Sequence, residues 1–325
     1  MRKQITRGLV LVIALGFWGL IASSTADTVV VAHAAQIQRI NELIDALQDA
    51  DMDVRLQAAM ELGEMGPVAR DAVSALVDAL VDEEWTVRWI AVKALGQIGP
   101  ATQDAIPTLT EALQDTDERV RIAVAEALGR MGSAARDAIP ALVEALQVQM
   151  QEQDEHVYVF TTVGTIIYTL ERIGPDAVPA LIEVLQDTAS LIEMFQGTVS
   201  FMRWRAAAAL GHIEPAAVAA VPALVEALRD ADKHVRYVAA QALGEMGPAA
   251  QDAVSALVDA LVDEEWKVRW IAAQALGQIG PAARDAVPVL VEVLQVRGDE
   301  HVHVRAAITE ALKRIRGEVS QPKPS

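Results

Sequence analysis

The chain has 325 residues, of which 52% are hydrophobic, 22% charged and 4% aromatic, and it contains no cysteine. With 27 Lys and Arg against 45 Asp and Glu, its formal net charge is −18. The lack of cysteine excludes disulfide scaffolds, cysteine-ligated zinc and thiol catalysis. The acidity argues against nucleic-acid binding through a broad basic surface, and a mean hydropathy of +0.25 excludes a wholly disordered chain.

The first 26 residues have the pattern of a secretory signal. The apolar run Leu9–Ala22 is shorter than the roughly twenty residues that span a bilayer, and small residues follow it. The basic residues before it are Arg2, Lys3 and Arg7. We expect export to a periplasmic or extracellular location, with cleavage after Ala26 or, as a second site, after Ala34. The alternative is an uncleaved leader that anchors the chain in a membrane.

From residue 51 onward, one motif recurs about every 33 residues. In the first copy, Val54-Arg55 is followed by an Ala-rich helical pattern, a Gly-x-x-Gly-Pro turn and a second helical pattern. Neither helix can bury its apolar face alone, so we predict about eight helix pairs that stack on one another. A lone second helix at 37–50 is expected to cap the stack. Further copies begin at Val87-Arg88, Val120-Arg121, Val157-Tyr158, Trp204-Arg205, Val235-Arg236, Val268-Arg269 and Val304-Arg305.

Local signals predict where the two helices of a copy meet. Gly99 followed by Pro100 predicts the end of a first helix, because glycine adopts the left-handed conformation and proline cannot continue the helix. An aspartate just before each second helix is expected to cap its free amide groups. These aspartates are Asp71, Asp104, Asp137, Asp252 and Asp285.

The recurring pattern VR…ALG.MGP…DA.PALVEAL resembles HEAT repeats, in particular the short HEAT-like type named after phycobilin lyases. The resemblance implies an all-α fold, a right-handed α-solenoid of antiparallel helix pairs that serves as a scaffold for protein contacts. Taken with the leader pattern, it divides the chain into four segments: a signal peptide at 1–26, a linker at 27–36, the solenoid at 37–316 with an irregular centre at 148–204, and a polar tail at 317–325.

A larger duplication overlies the repeats, because Asp71–Trp85 recurs letter for letter at Asp252–Trp266. The centre departs from the pattern. Its fourth copy has Tyr158 in the arginine position and Glu171 in the first glycine position, and an apolar insertion follows within Asp187–Met202. We interpret this aromatic-rich centre as a candidate contact zone, and the alternative is a degenerate repeat covered by an apolar loop. Its aromatic residues include Tyr158, Phe195, Phe201 and Trp204.

One arginine stands near the start of each first helix. An acid four residues earlier lies on the same helix face and suits the positive helix N-terminus. We interpret the row as a structural ladder that orients the loops between repeats, with each arginine paired with that acid, and the alternative is an anion-binding stripe. The arginines are Arg55, Arg88, Arg121, Arg205, Arg236, Arg269 and Arg305. The acids are Asp51, Glu84, Asp117, Asp232 and Glu265.

Tryptophans recur as pairs in two first helices. Trp85 and Trp89 are four residues apart, and Trp266 and Trp270 repeat them 181 residues later. Charged residues at the Trp85 position in other copies predict exposure, whereas apolar residues at the Trp89 position predict half-burial. Two interpretations stay open: packing between repeats, and contact with a partner, which exposed aromatic residues beside acids can anchor.

Metal and catalytic motifs are poorly represented. The segment Asp49–Asp53 resembles the start of a calcium loop, but Met60 stands where the last carboxylate ligand belongs. His301 and His303 point apart at a helix start. The repeats also look like those of HEAT-like iron enzymes such as deoxyhypusine hydroxylase, whose metal is held by His-Glu dipeptides, but no histidine here precedes glutamate. We therefore assign no catalytic, cofactor or metal residue.

The sequence thus predicts a non-catalytic, exported scaffold that binds a protein or peptide. Its acidity favours a basic partner, with no nucleic acid and no membrane span after signal cleavage. The second helices are expected to line the concave surface. Candidate solvent-facing acids there are Asp78, Asp82, Glu111 and Glu144. The alternative is a lyase- or hydroxylase-like enzyme subunit that takes its missing residues from a partner.

Overall fold

The computed structural model describes residues 32–149, 156–186, 196–213, 216–296 and 302–318. Over these residues, every regular element is an α-helix or a short 3-10 helix, and no strand is present. Sixteen α-helices follow one another in these ranges, and we number them α1 to α16 in chain order.

The even-numbered helices are the first helices of the repeats, and the odd-numbered ones from α3 are the second helices. The first helices are α2 (Met52–Met65), α4 (Trp85–Ile98), α6 (Glu118–Met131), α8 (His156–Ile173), α10 (Gln196–His212), α12 (Lys233–Glu245), α14 (Trp266–Ile279) and α16 (Val302–Ile315). The second helices are α3 (Val73–Asp78), α5 (Ile106–Ala112), α7 (Ile139–Gln149), α9 (Val178–Gln186), α11 (Val221–Ala227), α13 (Val254–Ala260) and α15 (Val287–Val296). Helix α1 covers residues 32–46.

The helices stack in two layers. Each first helix packs against the next one, from α2 through to α16. The second helices form the other layer in the same order, so that α7 contacts α9 and α9 contacts α11. Buried side chains run through both layers as one cluster from Ile40 to Ile315. The predicted all-α solenoid is confirmed, with seven complete pairs and α16 as the first helix of an eighth.

Five first helices, α2, α4, α8, α12 and α14, end directly before a Gly-Pro pair or one residue earlier, as the sequence predicts. Gly66 and Gly99 have φ angles of 60° and 79°, in the left-handed region that glycine tolerates, and a proline follows each of them. A 3-10 segment then leads directly into the second helix, for example Gly66–Ala72 before α3. The chain therefore reverses direction without an open loop.

The aspartates before the second helices do not cap them. Asp71 and its equivalents lie exposed in the 3-10 segments, and the caps before α3, α5 and α13 carry no side-chain hydrogen bond. The reason is that the 3-10 turns already supply backbone acceptors; the amide of Val73, for example, donates to the carbonyl of Arg70. Aspartate caps occur instead on first helices. They are Asp51, Asp117 and Asp232.

Two predicted boundaries differ from the structure or lie outside it. Residues 32–36, predicted as linker, are already helical in α1, whose Ile40, Leu43 and Leu47 are buried. The predicted signal peptide and the tail beyond residue 318 lie outside the described residues. None of the described helices combines the length and the apolar character that crossing a membrane requires.

Candidate interaction surface

A guanidinium and a carboxylate join successive inter-repeat turns. Arg55 donates from Nε to Asp82 Oδ2 at 2.7 Å and from Nη2 to Oδ1 at 3.0 Å. Its Nη1 donates to the carbonyl of Asp49 at 3.0 Å, within the turn before its own helix. Each such arginine therefore ties its own turn to the next one. The same arrangement recurs in the pairs Arg88–Asp115 and Arg236–Asp263.

The aspartates of these pairs also shape the turns. The carboxylates of Asp82 and Asp115 accept the backbone amides of Glu84 and Asp117, at 2.9 and 2.8 Å. Burial opposes ionisation of Asp82, but its hydrogen bonds from Arg55 and from the Glu84 amide prevail and hold its pKa below the usual value. The pKa of Asp115 is lowered in the same way.

The ladder therefore uses a different acid from the predicted one. The carboxylate that pairs with Arg55 lies 27 residues later in the chain, whereas Asp51, four residues earlier, accepts the amide of Asp53 as a helix cap. Arg121 and Arg269 each donate from Nη1 to a carbonyl of their own turn. Arg305, in the last helix, is exposed. The anion-binding alternative for the row stays untested.

In the fifth repeat the ladder position belongs to Arg203, not to Arg205. Arg203 pairs with Asp230 at 3.2 Å, again 27 residues later. Arg205 instead reaches the carbonyl of Gly164 at 3.4 Å. In the regular copies the first glycine follows the ladder arginine by eight residues, as Gly96 follows Arg88. Glu171 takes the position of that glycine in the fourth repeat, so Val163 occupies the arginine position and the assignment of Tyr158 to it is wrong.

The paired tryptophans are all half-buried. The guanidinium carbon of Arg119, on the next first helix, lies 3.3 Å from the centroid of the Trp85 ring. His303 stacks on Trp266 with 6.1 Å between centroids. The exposure predicted for Trp85 is wrong, because the ring is half-buried and a side chain from the following repeat covers it. Trp89 lies under the Lys93 ammonium at 4.4 Å, and Trp270 stacks on Tyr237 at 6.4 Å.

The aromatic centre is partly assembled in the described chain. Phe201 packs edge-to-face on Phe160 and on Trp204, with centroid distances of 5.2 and 5.3 Å. The side chain of Tyr158 and the whole of Phe195 lie outside the described residues. Partner contact through the tryptophans or through this centre stays a prediction, since every contact that these rings make here is within the chain.

An exposed acid occupies one equivalent position on α1 and on each of the seven second helices. It stands two residues after the buried leucine of that helix, as Asp78 follows Leu76. The eight acids are Asp45, Asp78, Glu111, Glu144, Glu183, Glu226, Asp259 and Glu292, and all are exposed. Within the described chain only two have a side-chain partner: Glu226 accepts from Gln186 at 3.1 Å, and Asp259 pairs with Arg229 at 3.6 Å.

A row of β-branched side chains accompanies these acids. It stands one residue before each acid, and all its members are half-buried: Ile44, Val77, Thr110, Val143, Ile182, Val225, Val258 and Val291. Grooves open between neighbouring second helices. One of 370 Å³ is lined by Val81 and Glu111, and one of 610 Å³ by Val225 and Glu226. We call the row of acids, the row of β-branched side chains and the grooves between neighbouring second helices the second-helix surface.

Sequence reasoning found only part of this surface. It named Asp78, Glu111 and Glu144, and all three are exposed. It also named Asp82, which is wrong, because Asp82 is half-buried and paired with Arg55. Aligning the copies on the buried leucine of the second helix would have shown all eight acids.

Metal ligands do not converge in the described part of the chain. No group of three His, Cys, Asp or Glu side chains there is arranged to hold a metal ion. The segment resembling a calcium loop forms a capping turn, in which Asp49 accepts the amide of Asp51 at 2.8 Å. His303 stacks on Trp266, and His301 lies outside the described residues.

The family follows from a match to HEAT repeats over residues 40–103, 99–152, 200–266 and 254–323. The chain belongs to the HEAT repeat family. No curated protein shows significant similarity to it. Among solved structures, a Kap121p mutant aligns at 14% identity with a TM-score of 0.57, over 87% of this chain and 33% of its own length. At that identity the likeness shows the fold alone.

Two further solved structures are similar to this HEAT repeat chain. The complex of CpcE and CpcF of phycocyanin lyase from Nostoc sp. PCC7120 is 25% identical, over 78% of this chain and 94% of that one, with a TM-score of 0.39. An engineered protein is 25% identical, over 85% and 78% of the two chains, with a TM-score of 0.43.

Proposed function

We propose that this HEAT repeat protein is a non-catalytic scaffold whose second-helix surface binds a basic, extended segment of a partner protein. The observation that carries the proposal is the row of eight exposed acids, one on α1 and one on each of the seven second helices, beside eight half-buried β-branched side chains. Six of these acids have no side-chain partner among the described residues. A partner that supplies cations and aliphatic contacts would complement both rows.

The repeat spacing favours an extended partner. Packed helices lie about 8–10 Å apart, and an extended chain in the polyproline II conformation rises about 3.1 Å per residue with three residues per turn, so that every third side chain lies on the same face. A lysine or arginine at every third residue of the partner would therefore meet successive acids of the row. Because the acids are exposed, salt should weaken the attraction strongly.

The test uses a labelled peptide with lysine at every third residue, titrated at low salt and followed by fluorescence anisotropy. Neutralising Glu111, Glu144 and Glu183 together as Gln should weaken binding about tenfold or more, at roughly 0.5 kcal/mol or more per charge. The matched control removes the same total charge from exposed acids of first helices, as Asp53→Asn, Glu64→Gln and Glu126→Gln. Equal losses in both variants would show attraction by net charge alone and overturn the assignment to the second-helix surface.

We also propose that the protein is exported after its signal peptide is removed. The support is the basic start, the apolar run Leu9–Ala22 and the small residues that follow it. Mass spectrometry of the protein recovered from an exported fraction should give a mature start at Asp27, or at Ala35 if the second site is used. A chain retained at full length in the membrane fraction would contradict the proposal.

A further inference from the structure

The segment Asp71–Trp85 and its copy Asp252–Trp266 place the same small group of exposed residues on the surface at two positions. Patch one consists of Asp78, Val81, Glu83 and Glu84, at the end of α3 and in the turn before α4. Patch two consists of Asp259, Val262, Glu264 and Glu265, which are the same residues 181 positions later. Val81 is 80% exposed and Val262 is 50% exposed. Val81 also lines the 370 Å³ groove, so an aliphatic side chain is presented among acids.

The two patches differ in their neighbours. In patch two, every acid is paired with a cation. Arg229 lies 3.6 Å from Asp259, Arg236 Nη2 lies 3.2 Å from Glu264, and Lys233 Nζ lies 3.4 Å from Glu265. These cations neutralise the carboxylates and compete with any basic partner for them.

Patch one lacks most of these cations. Gln48 stands where patch two has Arg229, and Met52 stands where it has Lys233. Thr86 likewise replaces Lys267, whose ammonium lies 5.9 Å from the Trp266 ring. Arg55 gives its Nε and Nη2 hydrogen bonds to Asp82. The acids of patch one therefore form no side-chain ion pair with any described residue.

We infer that the protein carries two docking sites of unequal affinity for one basic, extended segment, with patch one binding more tightly than patch two. The inference rests on the proposed function, since it assumes a basic partner. Because the two patches consist of identical residues, they offer the partner the same contacts. The cations beside patch two lower its affinity for the partner. One chain would then engage two copies of a partner in a fixed order as concentration rises.

The absence of native cysteine allows each patch to be observed alone. Ser74 and Ser255 are equivalent exposed residues, one helical turn before Asp78 and Asp259. A fluorescent dye on Ser74→Cys reports on patch one, and the same dye on Ser255→Cys reports on patch two. Each labelled full-length chain is titrated with hexalysine at low salt. We expect the dye at position 74 to respond at about three- to tenfold lower peptide concentration, at up to about 1 kcal/mol per ion pair.

Matched swaps exchange the neighbours of the two patches. Arg229→Gln, Lys233→Met and Lys267→Thr should bring the affinity at position 255 most of the way to that at position 74, since Arg236 stays beside Glu264. The reciprocal change should weaken binding at position 74 by the same factor; it combines Gln48→Arg, Met52→Lys and Thr86→Lys. Equal affinities in the unchanged chain, or swaps without effect, would overturn the inference while leaving the basic partner in place. A failure of both dyes to respond would instead overturn the proposed function.

Discussion

Arg88 and Asp115 are joined by two hydrogen bonds of 2.7 and 2.8 Å, although 27 residues separate them in the chain. Nη1 of the same guanidinium donates to the backbone carbonyl of Asp82 at 2.8 Å. One side chain thus fixes both the turn before its own helix and the turn before the next first helix. In a solenoid, where each repeat is stabilised only by its neighbours, such a contact sets the orientation of one repeat on the next.

Replacing a ladder arginine by lysine should destabilise the fold even though the charge is kept. Arg236→Lys loses the two-pronged contact with Asp263 and its donors to the preceding turn. We expect the free energy of unfolding to fall by about 1–3 kcal/mol in urea titrations. The control is Arg229→Lys, whose pair with Asp259 is largely exposed, and its effect should stay within about 0.5 kcal/mol. Equal stability of Arg236→Lys and the unchanged chain would contradict the ladder.

The ladder also predicts how stability depends on pH. The pKa of Asp82 is lower in the folded protein than its usual value. Such a carboxyl stabilises the fold above the unfolded pKa, near 3.9, and this stabilisation is lost as the pH falls through the folded pKa. The unchanged chain should therefore exceed Asp82→Asn in stability at pH 7, and the gap should shrink below about pH 4.

The measurement is the free energy of unfolding in urea at pH 7, 5, 4 and 3. The control is Asp104→Asn, because Asp104 is exposed and lies outside the ladder. A gap for Asp82→Asn that stays constant down to pH 3 would show that ionisation of Asp82 does not contribute to stability.

Local signals predicted the solenoid because they are repeated in every copy. Helical spacing and the Gly-Pro turn depend on neighbouring residues, and the observed helix ends agree with them. Spacing within one helix does not predict the partner of each arginine, because the contact joins two repeats. The sequence contains the missing spacing, since Asp49, Asp82 and Asp115 occupy one position and the last two pair with the preceding arginine.

In the degenerate repeats, similarity to Val-Arg does not mark the ladder position correctly. The position of the later glycine is the more constant marker. In the regular copies that glycine follows the arginine by eight residues, as Gly96 follows Arg88. Counting back from Gly211 gives Arg203, which is the residue that pairs in the structure. Five of the eight surface acids were also not predicted, because exposed positions leave no hydrophobic periodicity; they are Asp45, Glu183, Glu226, Asp259 and Glu292.

The close approach of first helices predicts which glycines tolerate a methyl group. A Cβ on Gly211 would lie 2.9 Å from both Cα and Cβ of Ala242, on the next first helix. Gly211→Ala should therefore destabilise the protein by about 1–3 kcal/mol. Gly164→Ala is the control, because its Cβ would meet only the Phe201 ring, at 3.6 Å. Because alanine has a higher helix propensity than glycine, the free energy of unfolding of Gly164→Ala should stay unchanged or rise by up to about 1 kcal/mol. Equal losses in both variants would contradict the predicted steric cause.

The position of the Arg119 guanidinium over Trp85 predicts how accessible the indole is to solvent. The Arg119 guanidinium lies over the ring and is itself held by Asp117, with Nη2 2.7 Å from Oδ2. Arg119→Ala should uncover the indole and raise its acrylamide quenching. The contribution of Trp85 is isolated by comparing each chain with its Trp85→Phe counterpart.

The control for this quenching experiment is Lys93→Ala, which removes the cation over Trp89 and should leave the Trp85 contribution unchanged. If Arg119→Ala does not change the quenching of Trp85, the guanidinium does not cover the ring in solution. Trp85 would then be free to contact a partner beside patch one. If quenching rises as expected, the main role of Trp85 is to pack one repeat against the next. A partner would then contact the neighbouring acids and Val81 rather than the indole.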